Sequence, residues 1–182
     1  MKKLLLLFFV LLVSASFVHA QKTNSQLASQ IRNNRIKLSS DGGTTKLMAV
    51  AENFTDAEAR SAKVMAMNYA IGFFYQGQTL ERMPNELLLT FWVMSKKPVF
   101  AEKNSLTFYA GGDELIVGDA RYASRARENM EYLNFNVSRD VLVKVASNSN
   151  VHLKLGDSTF KFTSDQMRML ADILELSDPM AN

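Results

Sequence analysis

Few residues in this chain have both the type and the setting to do chemistry. His152 is the only histidine beyond residue 20. A Ser–His–Asp hydrolase needs such an imidazole sheltered and oriented. Here the alternation of Val151, Leu153 and Leu155 turns His152 outward beside Lys154. No Gly-x-Ser-x-Gly elbow accompanies it. Two acidic pairs, Asp113/Glu114 and Glu128/Glu131, have the residue type for general acid–base work. Both read as charged, exposed settings in which paired pKa values are not driven apart. Methionine is frequent, ten in all, and Met65-Ala66-Met67 and Met167-Arg168-Met169 occur alongside Trp92 and His152. Soft thioethers select Cu(I), but methionine is equally a filler of irregular cores, and packing is the simpler reading. Arg121, Arg125 and Arg127 form a basic cluster on what reads as a loop. They are suited to gripping an anionic envelope polymer or a partner's carboxylates through bidentate hydrogen bonds. Phe73, Phe74 and Tyr75 could form an aromatic platform, although core packing accounts for them too.

One further motif, Gly111-Gly112-Asp113-Glu114 between two apolar runs, is similar to the Gly-Gly-Asp-Glu hairpin of diguanylate cyclases. That resemblance implies a cytoplasmic α/β domain with a second, upstream metal-binding carboxylate, and no matching upstream segment occurs. Two glycines at a tight hairpin tip, where positive φ is required, explain the motif without an activity.

The bounds on these candidates come from composition. The chain has 182 residues, 47% of them hydrophobic and none of them cysteine. That excludes disulfide scaffolds, thiol catalysis and cysteine-ligated zinc or iron–sulfur sites. Lys2 and Lys3 precede an unbroken apolar run from Leu4 to Val13, too short to span a bilayer. Small residues then lead to Val18-His19-Ala20. This is the layout of a signal peptide, residues 1–20, with cleavage between Ala20 and Gln21 and no cysteine there for lipid attachment. The expected location is the periplasm or the extracellular space, not as a lipoprotein. Without its leader the chain keeps 19 of the 21 basic residues against 18 acidic ones, because Lys2 and Lys3 are lost. A net charge near +1 gives none of the basic footprint of a nucleic-acid-binding protein.

The remaining segments position the candidates. Residues 21–44 are polar with few apolar anchors, and read as a mobile leader or a marginal helix around 25–33. Residues 45–178 read as a single α+β domain. Strands are expected at 45–51, 64–76, 87–94, 106–110, 115–122, 130–137, 151–155 and 159–162. The run Leu87 to Met94 is apolar at nearly every position, the pattern of a strand buried on both sides. Thr55-Asp56-Ala57-Glu58 has the form of a capping box. Ser138 is placed to cap a short helix near 139–147. Thr163 with Gln166 opens a C-terminal helix near 164–176, with Met167, Leu170, Ala171 and Leu174 inward. The expected fold is a mostly antiparallel sheet of about seven strands with the C-terminal helix packed on one face.

From Met65 to Leu174 the layout resembles a family of uncharacterised exported bacterial domains. The shared features are the Gly77-Gln78-Thr79 turn, the strand Leu87-x-Leu89-x-Phe91 ending at Ser95, the Ser138 helix, the strand from Val151 to Gly156, Phe160-x-Phe162, and the Gln166 helix. The resemblance implies the strand at 64–76 and the helix at 139–147, and implies no activity.

Taken together, these readings favour an exported, non-catalytic binding or assembly module of the bacterial cell envelope. It would take no cofactor, bind an envelope protein or polymer rather than nucleic acid, and have no transmembrane segment after leader removal. The alternatives are a secreted hydrolase using His152 or an acidic pair, and Cu(I) binding through Met, Trp and His.

Overall fold

The computed structural model describes residues 21–50, 54 and 56–180. In chain order these form β1 (Lys22–Thr23), α1 (Asn24–Gln30), β2 (Ile36–Asp41), β3 (Thr44–Val50), α2 (Asp56–Ser61), β4 (Ala66–Gln76), β5 (Thr79–Leu80) and β6 (Glu86–Met94). Then come β7 (Ser105–Ala110), β8 (Asp113–Asp119), β9 (Arg121–Arg125), a 3-10 turn (Ala126–Glu128), β10 (Met130–Ser138), α3 (Arg139–Ala146), β11 (Val151–Leu155), β12 (Ser158–Lys161) and α4 (Ser164–Leu176). The architecture is α+β. Every strand pairing is antiparallel among the described residues. No described helix is long and apolar enough to cross a membrane.

The chain builds two main sheets rather than one. A six-stranded sheet runs β2-β3-β4-β6-β10-β9, a four-stranded sheet runs β12-β11-β7-β8, and β1 pairs with β5 as a small appendage. Alternation decides what lies between the sheets, because successive side chains on a strand point to opposite faces. On β4, Met67, Tyr69, Ile71 and Phe73 are buried; on β6, Leu87, Leu89, Phe91 and Val93; on β10, Leu133, Phe135 and Val137. Rings from outside this sheet meet them: Phe160 on β12, Phe162 just beyond it, and Phe54 between β3 and α2. Phe54 lies 5.0 Å from Phe160 and 5.8 Å from Tyr69, and Tyr69 meets Phe162 edge-on at 5.5 Å. Each buried ring of this kind contributes about 1.5–3 kcal/mol by leaving water.

The helices close the same side. The Ser138 hydroxyl accepts a hydrogen bond from the Val141 amide and caps α3. Thr163 and Gln166 form a reciprocal capping box at the start of α4. Arg139, the first residue of α3, donates to the Leu174 carbonyl at 3.0 Å and to the Ser177 hydroxyl, tying α3 to the end of α4. The Tyr69 hydroxyl donates to the Gln166 carbonyl at 3.4 Å. Burial pushes that phenol's pKa far above its ordinary value.

Four expectations from the sequence change. Residues 21–44, read as a mobile leader or a marginal helix around 25–33, carry the helix as α1 and add the edge strand β2. Leu27 is fully buried, and Asn24 bonds to Ser40, Thr45, Gln78 and Tyr75, so a polar segment is fixed by a polar network. The buried α4 stripe is Gln166, Met169, Leu170, Ile173, Leu174 and Leu176, with Met167 half-buried against the core and Ala171 exposed. Strand β6 is sealed on one side only: Leu88 and Trp92 are half-buried and Met94 is 40% exposed. Arg121 and Arg125, read as lying on a loop, belong to β9. The Thr55 capping box and the leader residues 1–20 fall outside the described residues.

One buried charge has a testable cost. Lys22 is 4% exposed, and its Nζ has no hydrogen-bond partner among the described residues. Burial lowers its pKa, while Asp178 and Glu175 pull it back upward. The unfolded chain therefore holds this proton more tightly than the folded one, so Lys22 makes stability rise as pH climbs toward the ordinary lysine pKa. Lys22→Met is expected to stabilise the protein at pH 7 by about 1 kcal/mol. Thermal melting at pH 7 and pH 10 checks this, and the advantage of the variant shrinks at the higher pH.

Candidate functional site

The inner faces of both sheets are consumed by the core, so the candidate surface is the outer face of the six-stranded sheet. The pairing register places its side chains in rows across the strands. One row is Asn68 (β4), Trp92 (β6), Tyr132 (β10) and Ala123 (β9). Beside it run Ala70, Thr90, Asn134 and Arg121, and on the other side Ala66, Met94, Met130 and Arg125. Trp92 and Tyr132 are directly opposite one another on neighbouring strands, a position where side chains interact most strongly. Both are half-buried.

The surroundings of this pair are organised. The Arg125 guanidinium lies 5.5 Å from the centre of the Tyr132 ring and 3.5 Å from Glu128. The Thr90 hydroxyl donates to the Asn134 side-chain oxygen at 2.8 Å. Asn134 donates to the Arg121 carbonyl at 3.4 Å, and the Arg121 guanidinium donates to Asn136 at 2.9 Å. Further along the sheet, Lys46 lies 5.6 Å from the Phe74 ring centre, and Val50 and Phe74 are 42% and 47% exposed. Gly72 keeps this part of the face flat. A Cβ there would lie 2.1 Å from the Leu47 carbonyl oxygen and 2.3 Å from the Met48 sulfur.

The residues singled out by sequence disperse differently. Arg121 and Arg125 point to the same face as Trp92, whereas Arg127 sits exposed in the 3-10 turn after β9. His152 is on the four-stranded sheet, in the row Lys161, His152, Tyr109, Glu114. It lines a shallow depression of about 430 Å³ with Tyr109, Asn148, Ser149 and Asn150. It makes no hydrogen bond among the described residues, and no carboxylate lines the depression. The orienting third group that an activated Ser–His pair requires is therefore not at hand. Of the methionine pairs, Met65 is 58% exposed while Met67 is fully buried, whereas Met169 is buried and Met167 half-buried against the same core. Trp92 and His152 lie on different sheets. Among the described residues no three His, Asp or Glu side chains gather as a metal site.

The acidic pairs also come apart. Asp113 and Glu114 form an exposed hairpin tip, where Gly111 and Gly112 supply φ of 62° and 94°. Glu128 is exposed beside Arg125, but Glu131 is 2% exposed, facing inward from β10. The Glu131 carboxylate accepts from the Val99 amide at 2.9 Å, the Phe100 amide at 2.9 Å, the Ser95 hydroxyl at 3.0 Å and the Tyr122 hydroxyl at 3.2 Å. It fastens the 95–100 segment to the sheet edge, and every donor around it is already engaged. Glu131→Ala strands two buried amides and is expected to lower stability by about 2–4 kcal/mol. Urea unfolding checks this, with a lower midpoint and an unchanged slope.

The aromatic pair on this face that sequence reading missed is Trp92 with Tyr132. The signal lay in alternation: Leu87, Leu89, Phe91 and Val93 already fill one face of β6, so Trp92 had to occupy the other.

No protein-family model, curated protein or solved structure matches this chain, so its functional reading rests on the geometry of this surface.

Proposed function

We propose that this protein is an exported, non-catalytic binding or assembly module of the cell envelope, and that it engages its partner through the outer face of the six-stranded sheet. The observation that carries the reading is the Trp92–Tyr132 pair, open to solvent on a flat sheet and framed by Met94, Met130, Arg121 and Arg125. Trp, Tyr, Met and Arg are the residues enriched where proteins bury one another, and Trp, Tyr and Arg supply most binding hot spots. The hydrogen bonds among Thr90, Asn134, Arg121 and Asn136 hold the polar border in place before a partner arrives, which reduces the ordering cost of binding.

Catalysis has less support. The surface groups that could exchange protons are separated: His152 and Glu114 lie two strands apart with Tyr109 between them, and the Tyr109 hydroxyl donates to Glu114 at 3.2 Å. Export is supported by the leader pattern of residues 1–20, with its charged start, apolar run and Val18-His19-Ala20 end.

The test uses the exported product of the full-length gene, immobilised and exposed to envelope extract. Trp92→Ala with Tyr132→Ala is expected to weaken retention of any partner by at least about 30-fold, or 2 kcal/mol. His152→Ala leaves retention unchanged. Equal retention by the Trp92/Tyr132 variant removes this face as the binding surface.

A further inference from the structure

We infer that the partner of this face is a protein surface whose apolar centre is bordered by carboxylates. The inference rests on the outer face being the binding surface, and it is drawn from the distribution of charge across that face.

Alternation assigns every charged side chain on the six strands to one face or the other. Those turned outward are Lys37 and Asp41 on β2, Lys46 on β3, Glu86 on β6, and Arg121 and Arg125 on β9. The two acids stand at strand ends: Asp41 closes β2 and Glu86 opens β6. Lys37 and Lys46 lie within their strands, and Arg121 and Arg125, the first and last residues of the edge strand β9, flank the Trp92–Tyr132 row on its β9 side. Arg125 has Glu128 at 3.5 Å, both exposed, a contact too long and too wet to neutralise that guanidinium.

This arrangement selects among occupants. A second copy of the chain would present the same patch to itself in a two-fold pairing. That sets two arginine pairs into one field with no central acid to answer them, and like charges brought together at an interface cost several kcal/mol. A polysaccharide could stack on Trp92 and Tyr132, but its hydroxyls would find nothing to bond at Met94, Met130 and Val50, which line the same face. Thioether and aliphatic surface is desolvated best by other apolar side chains. An apolar protein patch with Asp or Glu at its border answers both halves of the surface, with carboxylates taking the arginine forks.

Trp92 is the only tryptophan in the chain, so its fluorescence reports on this face directly. The exported product is titrated with a synthetic amphipathic helix of leucine and glutamate, with its lysine-for-glutamate counterpart, and with polygalacturonate. The acidic peptide is expected to shift Trp92 emission to the blue and saturate, with Kd rising about tenfold between low and physiological salt, as screened ion pairs require. Arg121→Glu with Arg125→Glu should raise that Kd at least about tenfold; if melting shows this variant misfolded, Arg121→Gln with Arg125→Gln serves instead. The lysine peptide gives no shift.

No shift with the acidic peptide, or equal shifts with both peptides, overturns the inference. Saturation by polygalacturonate in place of the peptide assigns the face to an acid-bearing glycan. A blue shift that grows with protein concentration, together with dimeric sedimentation, assigns it to a second copy. If the arginine variants retain the extract partner but Trp92→Ala does not, the acidic class fails while the face survives. If Trp92→Ala also retains it, the face itself is wrong.

Discussion

Every described element that packs on the six-stranded sheet covers the same side of it. The smaller sheet, α3, α4 and α1 all pack against the set of alternate residues that includes Leu47, Tyr69, Phe91 and Phe135. Tyr69 shows the constraint at one residue: its ring meets Phe54 and Phe162, and its hydroxyl reaches the backbone of α4. A pleated strand cannot turn both neighbours of a buried residue inward. Filling one side therefore commits Trp92, Tyr132, Met94 and Met130 to the other, and no described element covers them.

The polar groups taken into the interior are used to fix structure. Glu131 collects two amides and two hydroxyls and so holds the 95–100 segment against the edge of β10. Asn24 joins α1 to the hairpin of β2 and β3 and to the turn before β5. A carboxylate with its donors already satisfied has little to offer a substrate, and a neutral amide network offers no proton. The groups left for encounter with another molecule are on the outside, and the dense part of that surface is aromatic, thioether and guanidinium.

Much of this could be read from sequence, and the failures have physical causes. The strands over 66–76, 130–138 and 151–155 followed from alternation, that over 86–94 from an unbroken apolar run, that over 105–110 from the glycine hairpin beside it, and the caps at Ser138 and Thr163 from side-chain chemistry. In the 21–44 segment the helix was legible but strand β2 was not, because it is held by hydrogen bonds between residues distant in sequence, such as Asn24 with Gln78, which local composition does not record. The split into two sheets depends on which strand pairs with which, a non-local choice. Strand β6 was misread because apolar residues on an open sheet face look the same in sequence as apolar residues in a core. Arg121 and Arg125 stood out by type, but only the pairing of β9 with β10 shows that they border the Trp92–Tyr132 pair.

The central claim is that this face is open in the free protein, and methionine oxidation measures it directly. Met65 and Met94 are 58% and 40% exposed, whereas Met67 and Met169 are at most 1% exposed. Under dilute peroxide, followed by peptide mass spectrometry, Met65 and Met94 should convert to the sulfoxide well before Met67 and Met169. If Met94 resists as long as Met67 does, something already covers the face, and the account of this protein as a surface awaiting a partner is contradicted.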